Sequence, residues 1–103
     1  MEQRISLITL GVSDLARSRR FYEALGWKAS ATSNDEVVFF DLGGVILSLF
    51  DRMALAEDAG VPGDGEGFRS VSLAHNVRRR EEADVVIARA REAGATVLKT
   101  PQE

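Results

Sequence analysis

The segment ISLITLGVSDLARSRRFYEALGW (Ile5–Trp27) decides the fold, because it contains a strand, a turn and a helix in succession. Its first part, Ile5–Val12, is rich in β-branched residues and has alternating apolar positions, which indicates a strand. Ser13 or Asp14 then stands where a helix N-cap is expected, and Gly26 stands where a left-handed cap ends a helix. The segment therefore predicts one strand followed by one helix of defined length.

Three further strands are expected before residue 51. WKASATS (Trp27–Ser33) is the first of them, and EVVFFDL and VILSLF then flank Gly43-Gly44, a pair typical of a two-residue hairpin turn. Asp51 is placed to cap a short helix, RMALAEDAG. The following VPGDGEG (Val61–Gly67) carries three glycines and a proline, which predicts a linker.

The pattern begins again after the linker. FRSVSLAHNV is strand-like, RRREEADVVIARAREAG predicts an amphipathic helix that ends at Gly94, and ATVLKT starts another strand. Val12 aligns with Val77 and Gly26 with Gly94, which indicates an internal repeat. We therefore predict one α+β domain of paired βαβββ modules: residues 1–60, a linker at 61–67, and a second module at 68–103 that lacks its last strands.

Alternation along the strands divides the predicted sheet into two faces. One, which we call the helix face, is apolar apart from His75 and is assigned to the helices, because burying it there supplies most of the stability of the core. It comprises Ile8, Leu10, Val12, Val38, Phe40, Leu42, Val45, Leu47, Leu49, Val71, Leu73, His75 and Val77. The other, the pocket face, mixes hydroxyls with apolar groups, as a partly hydrated cavity tolerates. It comprises Ile5, Leu7, Thr9, Val37, Phe39, Ile46, Ser48, Phe50, Ser70, Ser72 and Ala74.

The composition excludes several classes of function. The chain has 103 residues, a formal net charge of −3 and no cysteine, so neither nucleic-acid binding nor disulfide or thiolate chemistry is expected. The N-terminal residues do not have the pattern of a secretory signal, and no apolar run is long enough to span a bilayer, so a membrane partner is not expected. A soluble cytoplasmic protein is the expectation.

The motifs LGVSDLARSRRFYEALGW, GGVILSLF and SLAHNV…EAGATVLK resemble those of the vicinal oxygen chelate superfamily, which includes glyoxalases, bleomycin-resistance proteins and dioxygenases. The resemblance extends over nearly the whole chain. It implies the glyoxalase/bleomycin-resistance/dioxygenase fold, in which paired βαβββ modules curl around a shared cavity. It also implies a homodimer.

The resemblance further implies where metal ligands would lie. The metal-binding members carry histidines five residues before the valine that ends the first strand of each module, and these positions are Leu7 and Ser72 here. A third ligand comes from the fourth strand, near Ser48, or at Leu47 if the alignment shifts by one. The remaining acidic ligand belongs to a last strand that this chain lacks. Leucine and serine do not supply the imidazole or carboxylate that divalent cations prefer, so no metal site and no cofactor are expected.

The single histidine, His75, lies three residues beyond the Ser72 position and therefore on the helix face. We interpret it as a partly buried residue that bonds to a nearby backbone carbonyl or caps the start of the repeated unit, in preference to a substrate contact at the rim or a metal ligand, since a metal site needs partners. Arg17, Arg19 and Arg20 are interpreted as a solvated helix face rather than an anion site.

Three functions stay open. The first is a metal-independent small-molecule binding protein, for example one that sequesters a drug as bleomycin-resistance proteins do. The second is a glyoxalase- or dioxygenase-type enzyme with a non-standard site, and the third is a structural dimer. We expect Trp27 to pack in the core or an interface rather than on a ligand. The predicted ligand contacts are Thr9, Phe39, Ser48, Phe50 and Ser72, with packing across a dimer interface as an equal alternative for Phe39 and Phe50.

Overall fold

A computed structural model describes residues 1–65, 67 and 71–98. The elements are β1 (Leu7–Val12), α1 (Leu15–Ala24), β2 (Val37–Asp41), β3 (Ile46–Asp51), α2 (Arg52–Ala59) and α3 (Arg80–Glu92). The predicted α+β class is confirmed. The chain divides into two compact units, Met1–Gly65 and Glu66–Glu103. None of the helices in the described part of the chain is both long and apolar enough to cross a membrane.

The first unit is built on a three-stranded sheet in the order β1-β3-β2. β3 lies in the middle, parallel to β1 and antiparallel to β2. The predicted hairpin is confirmed: Leu42 N–H donates to the Val45 carbonyl at 2.9 Å, and Phe40 pairs with Leu47. Gly43 has φ 92°, a left-handed backbone conformation that favours glycine in such a turn.

Helix α1 begins and ends as the sequence predicts. The Asp14 side chain accepts a hydrogen bond from Arg17 N–H at 3.1 Å, which satisfies one of the donors that a helix N-terminus leaves unpaired. Beyond the last turn, Gly26 has φ 99°, the left-handed geometry expected of a glycine there. Asp51 caps α2 in the same way, accepting from Ala54 N–H at 3.0 Å.

The core of the first unit lies on the helix face. Its fully buried members are Val38, Phe40, Leu47 and Leu49. The partly buried residues packed against them include β1 residues and, from α1, Leu15 and Tyr22, so α1 covers this face as predicted. Each buried aliphatic or aromatic side chain contributes roughly 1.5–3 kcal/mol relative to exposure, which makes this cluster the main source of stability.

The strand predicted at Trp27–Ser33 does not form. Ser30 N–H donates to the Phe39 carbonyl at 2.7 Å, which is one hydrogen bond of a strand ladder. The reciprocal donor, Phe39 N–H, instead bonds to Ser33 Oγ at 2.9 Å. A local side-chain acceptor has thus replaced the backbone carbonyl that a continuous ladder needs.

The second unit contains the predicted helix but not the predicted strands. Helix α3 is followed by Gly94 with φ 109°, as expected of a helix terminus. Residues 71–77 and 95–98 form no strand, and the parts of the predicted strands at 68–70 and 99–100 lie outside the described residues. A strand needs a neighbour for its peptide groups, and the described part of this unit supplies none.

Removing the side chain of Leu49 tests the position of the core. Leu49 is 0% exposed, whereas Leu7 on the pocket face is 47% exposed. We expect Leu49→Ala to lower the free energy of unfolding by about 2–5 kcal/mol, because it leaves a cavity. Leu7→Ala, the matched control, should cost less than about 1 kcal/mol. Urea denaturation measures both, and equal losses would contradict the assignment of the two faces.

Candidate functional site

The centre of the pocket face is a row of three residues, one from each strand. Thr9 of β1 pairs with Ser48 of β3, and Ser48 pairs with Phe39 of β2. Directly paired residues project from the same face of a sheet, so these side chains are neighbours. Thr9 and Phe39 are half-buried, and Ser48 is only 2% exposed. The row therefore places two hydroxyls beside one aromatic ring.

Phe50 lies on the same face, two residues after Ser48 on β3, with Gly11 and Val37 as its partners. The sheet thus brings four of the five predicted ligand contacts onto one surface. The fifth, Ser72, belongs to the second unit, where it is exposed. Its membership of the site stays a prediction.

The two ends of the pocket face differ. At one end Leu7 and Ile46 pair with each other and are 47% and 38% exposed. At the other end, α2 starts directly after β3 and lies against Gly11. The face is therefore open and apolar at the Leu7 end and closed by a helix at the Gly11 end.

Gly11 is what allows α2 to approach so closely. A Cβ atom at this position would lie 3.1 Å from the Cα of Arg52 and 3.3 Å from Cδ2 of Leu55. This role of Gly11 was not predicted from the sequence. A glycine inside a strand often marks a place where another backbone comes close, so the position of Gly11 within β1 was a signal for this contact.

The segment after α2 folds back onto that helix. Gly60 ends α2 with φ 73°, and the Arg52 guanidinium donates to the Gly65 carbonyl at 2.7 Å. A Cβ atom on Gly63 would lie 2.8 Å from Sδ of Met53. Residues 61–65 are therefore packed on the helix that closes the pocket face.

The residues present do not fit the metal site that the resemblance implies. Leu7 and Ser48 do lie on the pocket face, but they offer a hydrocarbon and a neutral hydroxyl. Across residues 1–65, 67 and 71–98, no three His, Cys, Asp or Glu side chains lie close enough to hold an ion. We therefore assign no chemical step to a metal.

The interpretation of His75 as a partly buried residue is wrong. His75 is exposed, and residues 71–77 form no strand that could bury it on a helix face. Arg19 agrees with the predicted solvated helix face, since its side chain is partly exposed and lies 3.5 Å from the Glu23 carboxylate one turn later. Trp27 is partly buried and packs against the core, in agreement with its predicted packing role.

An aromatic cluster lies on the opposite, helix-facing side of the sheet. Tyr22 stacks on Trp27 with ring centroids 5.1 Å apart and an interplanar angle of 19°. Its ring also lies 5.6 Å from that of Phe40, which is fully buried. Burial raises the pKa of the Tyr22 hydroxyl above its usual 10.0, because the phenolate loses hydration.

Comparison with protein families gives one match over nearly the whole chain. The family model of the Glyoxalase/Bleomycin resistance protein/Dioxygenase superfamily matches residues 4–103. No curated protein matches the sequence.

Several solved structures are similar to this chain. A glyoxalase-related enzyme from Fulvimarina pelagi is 37% identical over 90% of the chain, with a TM-score of 0.81, and the chain spans 66% of its length. A hypothetical protein from S. aureus is 25% identical over 100% of the chain, with 78% of its own length covered and a TM-score of 0.84. A glyoxalase/bleomycin resistance protein/dioxygenase from Nocardioides is 27% identical over 100% of the chain, with 70% covered and a TM-score of 0.74.

Adding a methyl group at Gly11 tests the closed end of the pocket face. We expect Gly11→Ala to lower the free energy of unfolding by about 1–3 kcal/mol, because the backbone of α2 must move away. Gly44→Ala is the matched control, since a Cβ atom there has nothing within 4 Å and its φ is not positive. Thermal denaturation compares the two variants, and a Gly11→Ala protein as stable as the control would refute the close approach.

The raised pKa of Tyr22 predicts a loss of stability in alkali. Below pH 10 the Tyr22 hydroxyl keeps its proton in both the folded and the unfolded state. The contribution of the neutral side chain to the free energy of unfolding is therefore fully present there. As the pH rises further, the unfolded chain loses the proton first, and stability falls until the pH passes the raised folded-state pKa. Tyr22→Phe should remove that part of the decline. Denaturant unfolding across this range checks it, and identical pH profiles would contradict it.

Proposed function

Because this chain belongs to the Glyoxalase/Bleomycin resistance protein/Dioxygenase superfamily, we propose that it binds a small organic molecule on the pocket face without a metal ion. The observation that carries the proposal is the row Thr9–Ser48–Phe39 at the centre of that face. The positions from which metal-binding members would supply ligands hold Leu7 and Ser48 instead. The same face therefore offers hydrogen bonds and ring contacts in place of metal coordination.

The chemistry of the row indicates the type of ligand. Ser48 is nearly buried as a residue, and no hydrogen bond joins its hydroxyl to another described residue. Among the described residues no fully buried side-chain oxygen lacks a partner, so this hydroxyl keeps contact with solvent. A ligand that covers it must supply a donor or acceptor in place of water, because an unpaired buried hydroxyl is costly. Phe39, which pairs with Ser48 across the β2–β3 ladder, and Phe50, two residues further along β3, provide half-buried aromatic surface next to Ser48. A mainly apolar molecule with one central polar group fits this arrangement.

The open end of the face supports access from solvent. Leu7 and Ile46 are exposed, whereas the opposite end is closed by α2. An apolar ligand would enter at the Leu7 end and come to rest against Phe50, where α2 closes the face over Gly11. Drug sequestration in the manner of bleomycin-resistance proteins is the form of binding that we propose, together with a cytoplasmic homodimer as the working assembly.

An enzymatic function is the second candidate. It is favoured by the 37% identity to the glyoxalase-related enzyme from Fulvimarina pelagi. This chain spans 66% of the length of that protein, so catalytic groups of a longer protein would lie outside the present sequence. Such an enzyme would need a site different from the Leu7 and Ser48 positions, or groups contributed by another chain.

Calorimetric titration tests the binding proposal. The protein is titrated with bleomycin and with a panel of apolar aromatic compounds that carry one polar group, with and without a chelator. We expect at least one compound to bind, with the same affinity in both conditions. For that compound, Ser48→Ala should weaken binding about fivefold, the value of one ordinary hydrogen bond.

Ser13→Ala is the matched control, because Ser13 is exposed and lies outside the strands. Equal affinities for the two variants would contradict a ligand at Ser48. Loss of binding in the chelator would instead favour a metal-dependent enzyme. Failure of every compound in the panel would count against a binding function.

A further inference from the structure

A separate cavity of about 250 Å³ lies at the outer edge of β2. It is lined by Trp27, Lys28, Phe40, Asp41 and Leu42. Phe40 and Trp27 belong to the helix-face cluster, so the cavity is distinct from the pocket face. None of its lining residues belongs to the proposed small-molecule site.

The cavity lies where the segment before β2 no longer runs beside that strand. This segment hydrogen-bonds to Val37 and Phe39 of β2 but not to Asp41. Leu42 N–H bonds to Val45 in the hairpin, so Val37, Phe39 and Asp41 direct their peptide groups away from β3. The carbonyls of Val37 and Phe39 accept hydrogen bonds from Asn34 and Ser30. No described residue pairs in this way with the outward peptide group of Asp41, which therefore presents one free donor and one free acceptor at the cavity.

The apolar wall of the cavity is held in a fixed geometry. Trp27 is stacked on Tyr22, and its ring centroid lies 5.8 Å from that of Phe40. Leu42 extends the wall towards solvent and is 43% exposed. A flat apolar surface of this kind favours contact with a planar ring, and its rigidity lowers the entropic cost of binding.

The charges at the cavity cancel. Lys28 and Asp41 contribute one charge of each sign, and neither forms an ion pair with a described residue. The Asp41 carboxylate is occupied in the hairpin, where it accepts from Gly43 N–H at 2.9 Å. The site therefore favours an uncharged ligand. Its volume is below the roughly 300–1,000 Å³ of drug-sized pockets, so a single ring with one substituent fits.

We propose that this cavity binds a neutral aromatic ring bearing an amide group. The ring packs against Trp27 and Leu42. The amide carbonyl accepts from Asp41 N–H, and the amide N–H donates to the Asp41 carbonyl. These two hydrogen bonds take the place of those that a strand at Trp27–Ser33 would have formed with the Asp41 peptide group.

Benzamide is the probe, and the readout is the amide spectrum of the ¹⁵N-labelled full chain. Trp27 is the only tryptophan, so its indole N–H is a unique reporter of the cavity. We expect saturable shifts of that signal and of the Asp41 amide. Benzoate and benzylamine, the charged analogues, should bind at least about fivefold more weakly, because each adds an unbalanced charge to the site.

Two variants separate the cavity from the rest of the molecule. Leu42→Ala removes part of the exposed wall and should weaken benzamide binding at least about threefold through lost apolar contact. Leu7→Ala, the control, removes a comparably exposed side chain from the pocket face, on a strand that does not pair with β2, and should leave binding unchanged. The amide spectrum of each variant also reports whether the fold is intact.

Three results would overturn the proposal. The first is the absence of shifts at Asp41 and Trp27 at saturating benzamide. The second is a set of shifts centred on Thr9, Phe39 and Ser48, which would place the probe on the pocket face. The third is slow hydrogen exchange of the Asp41 amide in the free protein, which would mean that its peptide group is already paired.

Discussion

β3 is hydrogen-bonded along both of its edges, and the rest of the first unit depends on that position. Its parallel pairing with β1 and antiparallel pairing with β2 fix the register of all three strands. Side chains alternate along a strand, so a central strand assigns every residue of the sheet to one of two faces. Leu47 and Leu49 are thereby committed to the core, and Ser48 between them is committed to the opposite face. A shift of β3 by one residue would turn Leu47 and Leu49 out of the core and place Ser48 there instead.

The two faces of the sheet have different chemical character, and the proposed function follows from that difference. The helix face is closed by α1 and an aromatic cluster, and it supplies stability. The pocket face carries hydroxyls and rings, is closed at Gly11 by α2 and is open at Leu7. The chain belongs to the Glyoxalase/Bleomycin resistance protein/Dioxygenase superfamily, and the positions on this face where the resemblance implies metal ligands hold Leu7 and Ser48, a hydrocarbon and a hydroxyl. Fold alone does not specify chemistry, so the proposed function rests on those residues.

Local signals were predictable from the sequence and long-range pairings were less so. Asp14 and Asp51 cap helices and Gly43-Gly44 forms the hairpin, because each depends only on neighbouring residues. The strand at Trp27–Ser33 was predicted wrongly, since Ser33 Oγ takes the donor that the ladder would use. The prediction that His75 is partly buried was also wrong. Burial depends on partner strands, and the periodicity of one strand does not reveal them. The closing role of α2 over the pocket face was missed for the same reason.

Native-state hydrogen exchange of the β3 amides tests the central claim most directly. If β3 is paired on both edges, the amides of all residues from Ile46 to Phe50 are bonded alternately to β1 and β2, as Ile46 N–H is to the Ser6 carbonyl at 3.0 Å. We predict that these five consecutive amides exchange slowly and together, at the rate of global unfolding. Rapid exchange at every second residue of β3 would show an edge strand, and the assignment of Ser48 to a separate face would no longer hold.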